Sequence, residues 1–120
     1  MTALLVAIGS AMGGVGRYLV SRALNASGGM PCGTLAVNLA GSLAIGVLSG
    51  WLARHGGGHA AAIRAFAVIG ICGGFTTFST ISNETFRLLE NSQWAMLAAY
   101  VAITLVGGLF AVWLGYLIAR

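Results

Sequence analysis

Charge is what this chain has least of. It contains no aspartate and no lysine, and two acidic side chains with six arginines make up all its fixed charge, 7% of its 120 residues. A water-soluble fold needs more charged side chains than this to cover the apolar surface that even globular proteins leave exposed, which argues against a soluble domain. Without aspartate, and without a Ser/His/acid arrangement, no catalytic constellation is visible, so no enzyme activity is expected. The net charge of +4 comes from arginines scattered singly rather than in a stripe, so nucleic acid is not an expected partner. Cysteine is scarce as well. Cys32 and Cys72 fall in different segments with no CxxC pair and no cluster of further ligands, which indicates neither a disulfide framework nor a metal cluster and leaves them as packing residues.

What the chain has in quantity is apolar sequence: 58% hydrophobic residues and a mean hydropathy of +0.94. Apolar runs cover residues 2–24, 33–53, 65–86 and 94–119, and each reaches the length of about 20 residues that a helix needs to cross a bilayer. The first run lacks a basic leader and carries Arg17 in its later half, so it reads as a permanent helix rather than a signal peptide. The polar or glycine-rich connections are short, at residues 25–31, 55–59 and 90–93, and the last is brief enough to force helices three and four into an antiparallel hairpin. The expected fold is therefore all-α: residues 1–120 as a single four-helix transmembrane domain in a lipid bilayer, with both termini on one side. Trp51, Trp94 and Trp113 lie near span ends and fit the interfacial aromatic belt. His55 and His59 sit in a glycine loop without the further ligands that a zinc site needs.

Orientation in a membrane follows the arginine and lysine bias of short loops. Here Arg54, Arg64 and Arg120 flank the side that holds the termini, and Arg17, Arg22 and Arg87 fall toward the other. The bias cancels. Dual topology follows, and an antiparallel homodimer with a two-fold axis in the membrane plane, the symmetry that inverted-repeat transporters build within one chain. Glycine is abundant, with 19 residues, and Gly9 with Gly13, Gly46 with Gly50 and Gly70 with Gly74 have the small-xxx-small spacing that lets helices approach closely in lipid. Gly13-Gly14-Val15-Gly16 follows no strand and is not a phosphate-binding turn.

The third run holds Gly73-Gly74-Phe75-Thr76-Thr77-Phe78-Ser79-Thr80, consecutive poor helix formers in the middle of a span, where a helix is expected to break. Unwound backbone at membrane depth is tolerated only where protein buries it or where it lines a polar cavity. The break therefore predicts an ion site, with the freed carbonyls of Gly73 and Thr76 able to face a cation. The alternative is a continuous helix whose Ser and Thr hydroxyls bond back to their own backbone.

Gly13-Gly14-Val15-Gly16-Arg17-Tyr18, the stretch Gly33-Thr34-Leu35-Ala36-Val37-Asn38-Leu39-Ala40-Gly41-Ser42, and Gly73 to Thr80 followed by Glu84 together resemble the Fluc/CrcB family of fluoride channels. The resemblance covers nearly the whole chain. It implies a dual-topology dimer with two fluoride pathways and a central sodium ion held by the backbone carbonyls of Gly73 and Thr76. It also implies passive export of cytoplasmic fluoride, hence fluoride resistance, across a bacterial inner (plasma) membrane. Asn38 matches the pore asparagine and Phe78 the first of two pore-bordering phenylalanines, while the second falls on Ile81, a departure from the family pattern. Ser79 and Thr80 match the hydroxyl-bearing track, which Tyr100 and Thr104, one turn apart on helix four, would continue.

These groups suit fluoride, which accepts hydrogen bonds, donates none and holds its water tightly, so that a pore must replace lost hydration with close donors. Asn38 offers amide hydrogens and Ser79, Thr80, Tyr100 and Thr104 offer hydroxyl protons, while the rim of the Phe78 ring is positive. None carries full charge, which lets a bound ion leave. Arg17 is an intramembrane cation, serving in a vestibule or as a helix-capping contact. Glu84 stands three residues before Arg87, a spacing of surface ion pairs, and both a structural and a transport role are open to it. The competing function is a small dual-topology multidrug or cation exporter, which needs a membrane-embedded carboxylate. The only acids here, Glu84 and Glu90, lie near one end of helix three.

Overall fold

A computed structural model describes residues 1–25 and 29–120 of the chain. Part of the expected 25–31 connection, residues 26–28, lies outside them. The described residues form helix α1 (Thr2–Leu24), α2 (Cys32–His55), α3 (residues 60–75), α4 (Phe78–Glu90) and α5 (Trp94–Ala119). Four stretches are long and apolar enough to cross a membrane: α1, α2, the 31-residue stretch Ala60–Glu90 that contains α3 and α4, and α5. The expected spans are present. The third begins earlier than its apolar run, because Ala60, Ala61 and Ala62 are strong helix formers and Arg64 can extend its charged head past an apolar stem.

Each helix ends for a local reason. Asn25 turns extended after α1 (φ −79°, ψ 112°), and Pro31, with no amide hydrogen to lose, stands immediately before α2. Thr77 caps α4 by accepting the Thr80 N–H at 3.2 Å on its hydroxyl oxygen. The tight connection between α4 and α5 uses Ser92 at a positive φ of 54° and is closed by the Gln93 N–H donating to the Leu88 carbonyl at 2.9 Å. Two stretches widen to π-helix, Arg64–Cys72 within α3 and Ile103–Gly107 within α5, a rare form that often accompanies functional sites.

Helix α1 packs along α3, and α2 packs along the second half of α5. Two glycines show how close these contacts are. A Cβ on Gly13 would meet the Ile71 carbonyl and stand 2.7 Å from the Phe75 amide, and one on Gly46 would meet the Val112 carbonyl and stand 3.0 Å from the Tyr116 amide. The small-xxx-small spacing thus brings different partners together: α1 onto α3 through Gly13, α2 onto α5 through Gly46. The molecule measures 51 × 29 × 19 Å, longer than the roughly 30 Å hydrocarbon core of a bilayer. Large apolar side chains such as Leu105, Leu109 and Ile118 stand bare on its outside. Four crossing-length apolar helices with an apolar exterior make this a multi-pass membrane protein.

Candidate functional site

Thr76 (φ −83°, ψ 158°) and Thr77 (φ −153°, ψ 125°) are extended, and they separate α3 from α4. Adjacent β-branched residues after two glycines make a weak helix. What holds the departure from helix is that the freed backbone groups have partners elsewhere. The Thr77 N–H donates to Asn38 Oδ1 at 2.9 Å, and Asn38 Nδ2 donates to the Thr77 carbonyl at 3.3 Å and to the Thr34 carbonyl at 3.0 Å. An amide that both accepts from an N–H and donates to carbonyls has its oxygen and nitrogen positions decided by them. Arg17 Nη1 donates to the Thr76 carbonyl at 3.4 Å, and the Thr76 hydroxyl bonds back to the Cys72 carbonyl at 3.0 Å. Asn38 (9% exposed), Thr77 (8%) and Thr34 (0%) are buried, where a polar group left unpaired costs about 1–3 kcal/mol. Because the Thr77 N–H is turned to Asn38, the Gly73 carbonyl on the last turn of α3 is left without its helical amide four residues on.

A second polar cluster adjoins the first. Glu84 Oε1 accepts from the Thr34 hydroxyl at 2.9 Å, and Oε2 accepts from the Tyr100 hydroxyl at 2.7 Å. The Thr104 hydroxyl donates to the Tyr100 carbonyl at 2.7 Å. Glu84 is therefore turned inward, between α2 and α5, rather than toward Arg87 as its spacing suggested. It shares its helix face with Leu88 one turn on, which is buried, whereas Arg87 is exposed. Thr34 joins the clusters: its carbonyl accepts from Asn38 and its hydroxyl donates to Glu84.

The remaining expected residues divide between these clusters and an open groove of about 450 Å³ between α4 and α5. Phe78, Ile81 and Thr104 line the groove with Ser82 and Thr85. Phe78 keeps 80% of its surface exposed, and the buried Thr85 hydroxyl oxygen has no partner among the described residues. Ser79, exposed, and Thr80, half-buried, open α4 beside the break, their hydroxyls 3.4 and 3.1 Å from that of Thr77. Tyr100 is fully buried behind this face with its proton directed to Glu84. Arg17, Asn38, Gly73 and Thr76 gather at the break. Sequence reasoning missed Thr34 and Thr77. Each had a signal: Thr34 is a polar residue four before Asn38 in an apolar run, and Thr77 precedes a helix start as capping residues do.

The arrangement holds uncharged hydroxyls and an aromatic rim beside a carboxylate whose two oxygens are already hydrogen-bonded. Comparison with known proteins agrees in one direction. The profile of the family described as "CrcB-like protein, Camphor Resistance (CrcB)" matches residues 4–116. The fluoride-specific ion channel FluC 1 of Geobacillus kaustophilus is 45% identical over 118 residues, covering 98% of this chain and 97% of that protein. Proteins named fluoride-specific ion channel FluC from Novosphingobium aromaticivorans (43% over 119 residues; 96% and 93% covered) and Nitrobacter winogradskyi (46% over 113 residues; 90% and 89% covered) are similar at the same level. With a match that runs nearly end to end through α1–α5, the chain belongs to the CrcB-like family.

Proposed function

We propose that the chain is a fluoride channel, which lets cytoplasmic fluoride leave a bacterial cell passively across the inner membrane and so confers fluoride resistance. The observation that carries this reading is a set of uncharged donors collected where Thr76 and Thr77 leave the helix, inside an otherwise apolar span. Relatives alike over nearly their whole length bear the name fluoride-specific ion channel. A desolvated anion needs donors that are strong enough to admit it and uncharged so that it can leave. The path in this reading follows the α4–α5 groove past Phe78, Ile81 and Thr104 to the hydroxyls of Ser79 and Thr80. Asn38 and Tyr100 stand behind it, with Asn38 keeping residues 76 and 77 extended and Tyr100 holding Glu84. Arg17 supplies positive potential beside the break. The reaction is transport alone, with no enzymatic step.

The extended pair lies near the middle of the Ala60–Glu90 span, and in this reading near the middle of the bilayer. A groove open on one side calls for a cover, which a second, inverted copy would supply, consistent with loop arginines that show no strong bias, three against two once Arg17 is set aside at the break. Sodium fits the carbonyl oxygens of the break in kind, as hard uncharged donors at a half-helix end. Gly73, with its carbonyl free of a helical amide, is the better donor. Thr76 already accepts from Arg17 at 3.4 Å and would share its carbonyl with the ion. Such a sodium would join the break of one copy to that of the other.

The test is efflux from liposomes that contain the purified protein, read with a fluoride electrode and with chloride as control. Fluoride release without chloride release is expected. No fluoride flux would leave a drug exporter or an inert scaffold, and equal chloride flux would mean a lesion.

A further inference from the structure

Asn25 lies beyond the apolar run of α1 and is exposed, yet its side chain bonds to another helix. Its Oδ1 accepts the N–H groups of Gly33 at 2.6 Å and Thr34 at 3.3 Å, and its Nδ2 donates to the Thr34 hydroxyl oxygen at 3.4 Å. Pro31, at the head of α2, makes no side-chain cap, so amide donors that would begin the helix unpaired are satisfied by a residue at the end of α1. The two are in direct contact: a Cβ on Gly33 would stand 2.7 Å from Ser21 Cα and 2.8 Å from Asn25 Oδ1.

The cap has a second effect. A carboxamide nitrogen only donates, so Thr34 Oγ1 must accept from Asn25. The single hydroxyl proton of Thr34 is then left for Glu84 Oε1, 2.9 Å away, while Tyr100 donates to Oε2 at 2.7 Å. We infer that Asn25 is a positioning residue of the permeation path: by orienting the Thr34 hydroxyl it holds the Glu84 carboxylate between two donors, without itself lying on the route. The inference rests on the fluoride-channel reading for its effect on transport. A Glu84 oxygen deprived of its donor turns uncompensated negative charge toward the path, and an anion is repelled by it at short range in a medium of low dielectric.

Two variants separate capping from positioning. Asn25→Ala removes both. Asn25→Asp keeps oxygen acceptors for the Gly33 and Thr34 amides, where the helix dipole favours a negative charge, but it cannot donate and competes with Glu84 for the Thr34 proton. Positioning predicts that Asn25→Asp slows fluoride efflux by about tenfold or more, as loss of one hydrogen bond to a charged group implies. The deficit should vanish in a Thr34→Val background, which has no hydroxyl to orient. Wild-type efflux in Asn25→Asp, with only Asn25→Ala impaired, would reduce Asn25 to a cap and overturn the inference. A second measurement needs no transport. In Glu90→Gln protein labelled with ¹³C-glutamate, Glu84 is the one labelled side-chain carboxylate, and its infrared stretching band should shift on Asn25→Asp. An unmoved band overturns the inference whether or not the protein conducts. A moved band in protein that passes no fluoride even as wild type upholds the positioning and brings down the channel reading alone.

Discussion

Asn38 shows how one side chain can hold a backbone away from helix. It gives an acceptor to the Thr77 N–H and a donor to the Thr77 carbonyl, replacing bonds that a continuous helix would have made internally, and anchors itself on the Thr34 carbonyl of its own helix. Asn38→Asp preserves the shape and the acceptor but removes both donors and sets a carboxylate against two carbonyls. It is expected to cost about 1–3 kcal/mol of stability, the penalty of leaving the buried Thr77 carbonyl unpaired, and to depress fluoride flux. Thermal unfolding in detergent together with liposome efflux checks both, and a variant as stable as wild type would mean that residues 76 and 77 stay extended without Asn38. Glu84 teaches the complementary lesson. Its spacing to Arg87 is that of a surface pair, yet the hydroxyls of Thr34 and Tyr100 take both its oxygens, because helix packing brings better partners to it than its own helix does.

Among the elements, the closest contacts are made by glycine faces. At Gly46 any side chain would run into the backbone of α5 at Val112, whereas at Gly14 nothing among the described residues lies within 4 Å of an added Cβ. Gly46→Val is therefore expected to push α2 from α5 and destabilise the fold by about 1–3 kcal/mol, the usual cost of overpacking. Gly14→Ala should be neutral or stabilise by up to about 1 kcal/mol, since glycine inside a helix costs that much relative to alanine. Comparative unfolding of the two variants distinguishes them, and equal effects would show that glycine content matters here and helix contact does not. The π-helical stretches Arg64–Cys72 and Ile103–Gly107 belong to the same scale. Neither was readable beforehand, because the widening depends on what packs against these stretches and not on their helix propensity alone.

For the molecule as a whole, balanced arginines are the feature with the largest consequence. If both orientations are needed in one dimer, then adding three lysines to the 55–59 loop should drive all copies into one orientation. Fluoride efflux from cells should then disappear. It should return when this variant is co-expressed with one that carries the lysines in the 90–93 connection. Undiminished efflux from either biased variant alone would dismiss the inverted pair.

Hydropathy and helix propensity are local properties, and so the chain's four apolar stretches, their short connections and the weakness of Gly73 to Thr80 as helix were all legible residue by residue. Length of apolar run decides whether a helix can span a bilayer, and no distant contact is needed to know it. The contacts that make the site were not legible in this way. Arg17 meets Thr76 across 59 positions, Glu84 meets Thr34 across 50 and Asn38 meets Thr77 across 39. A polar side chain buried among helices takes whichever donor or acceptor the packing presents. That choice set Asn38 against Thr77, brought in Thr34 and pointed Glu84 inward, and it was settled only when the glycine faces brought α1 onto α3 and α2 onto α5.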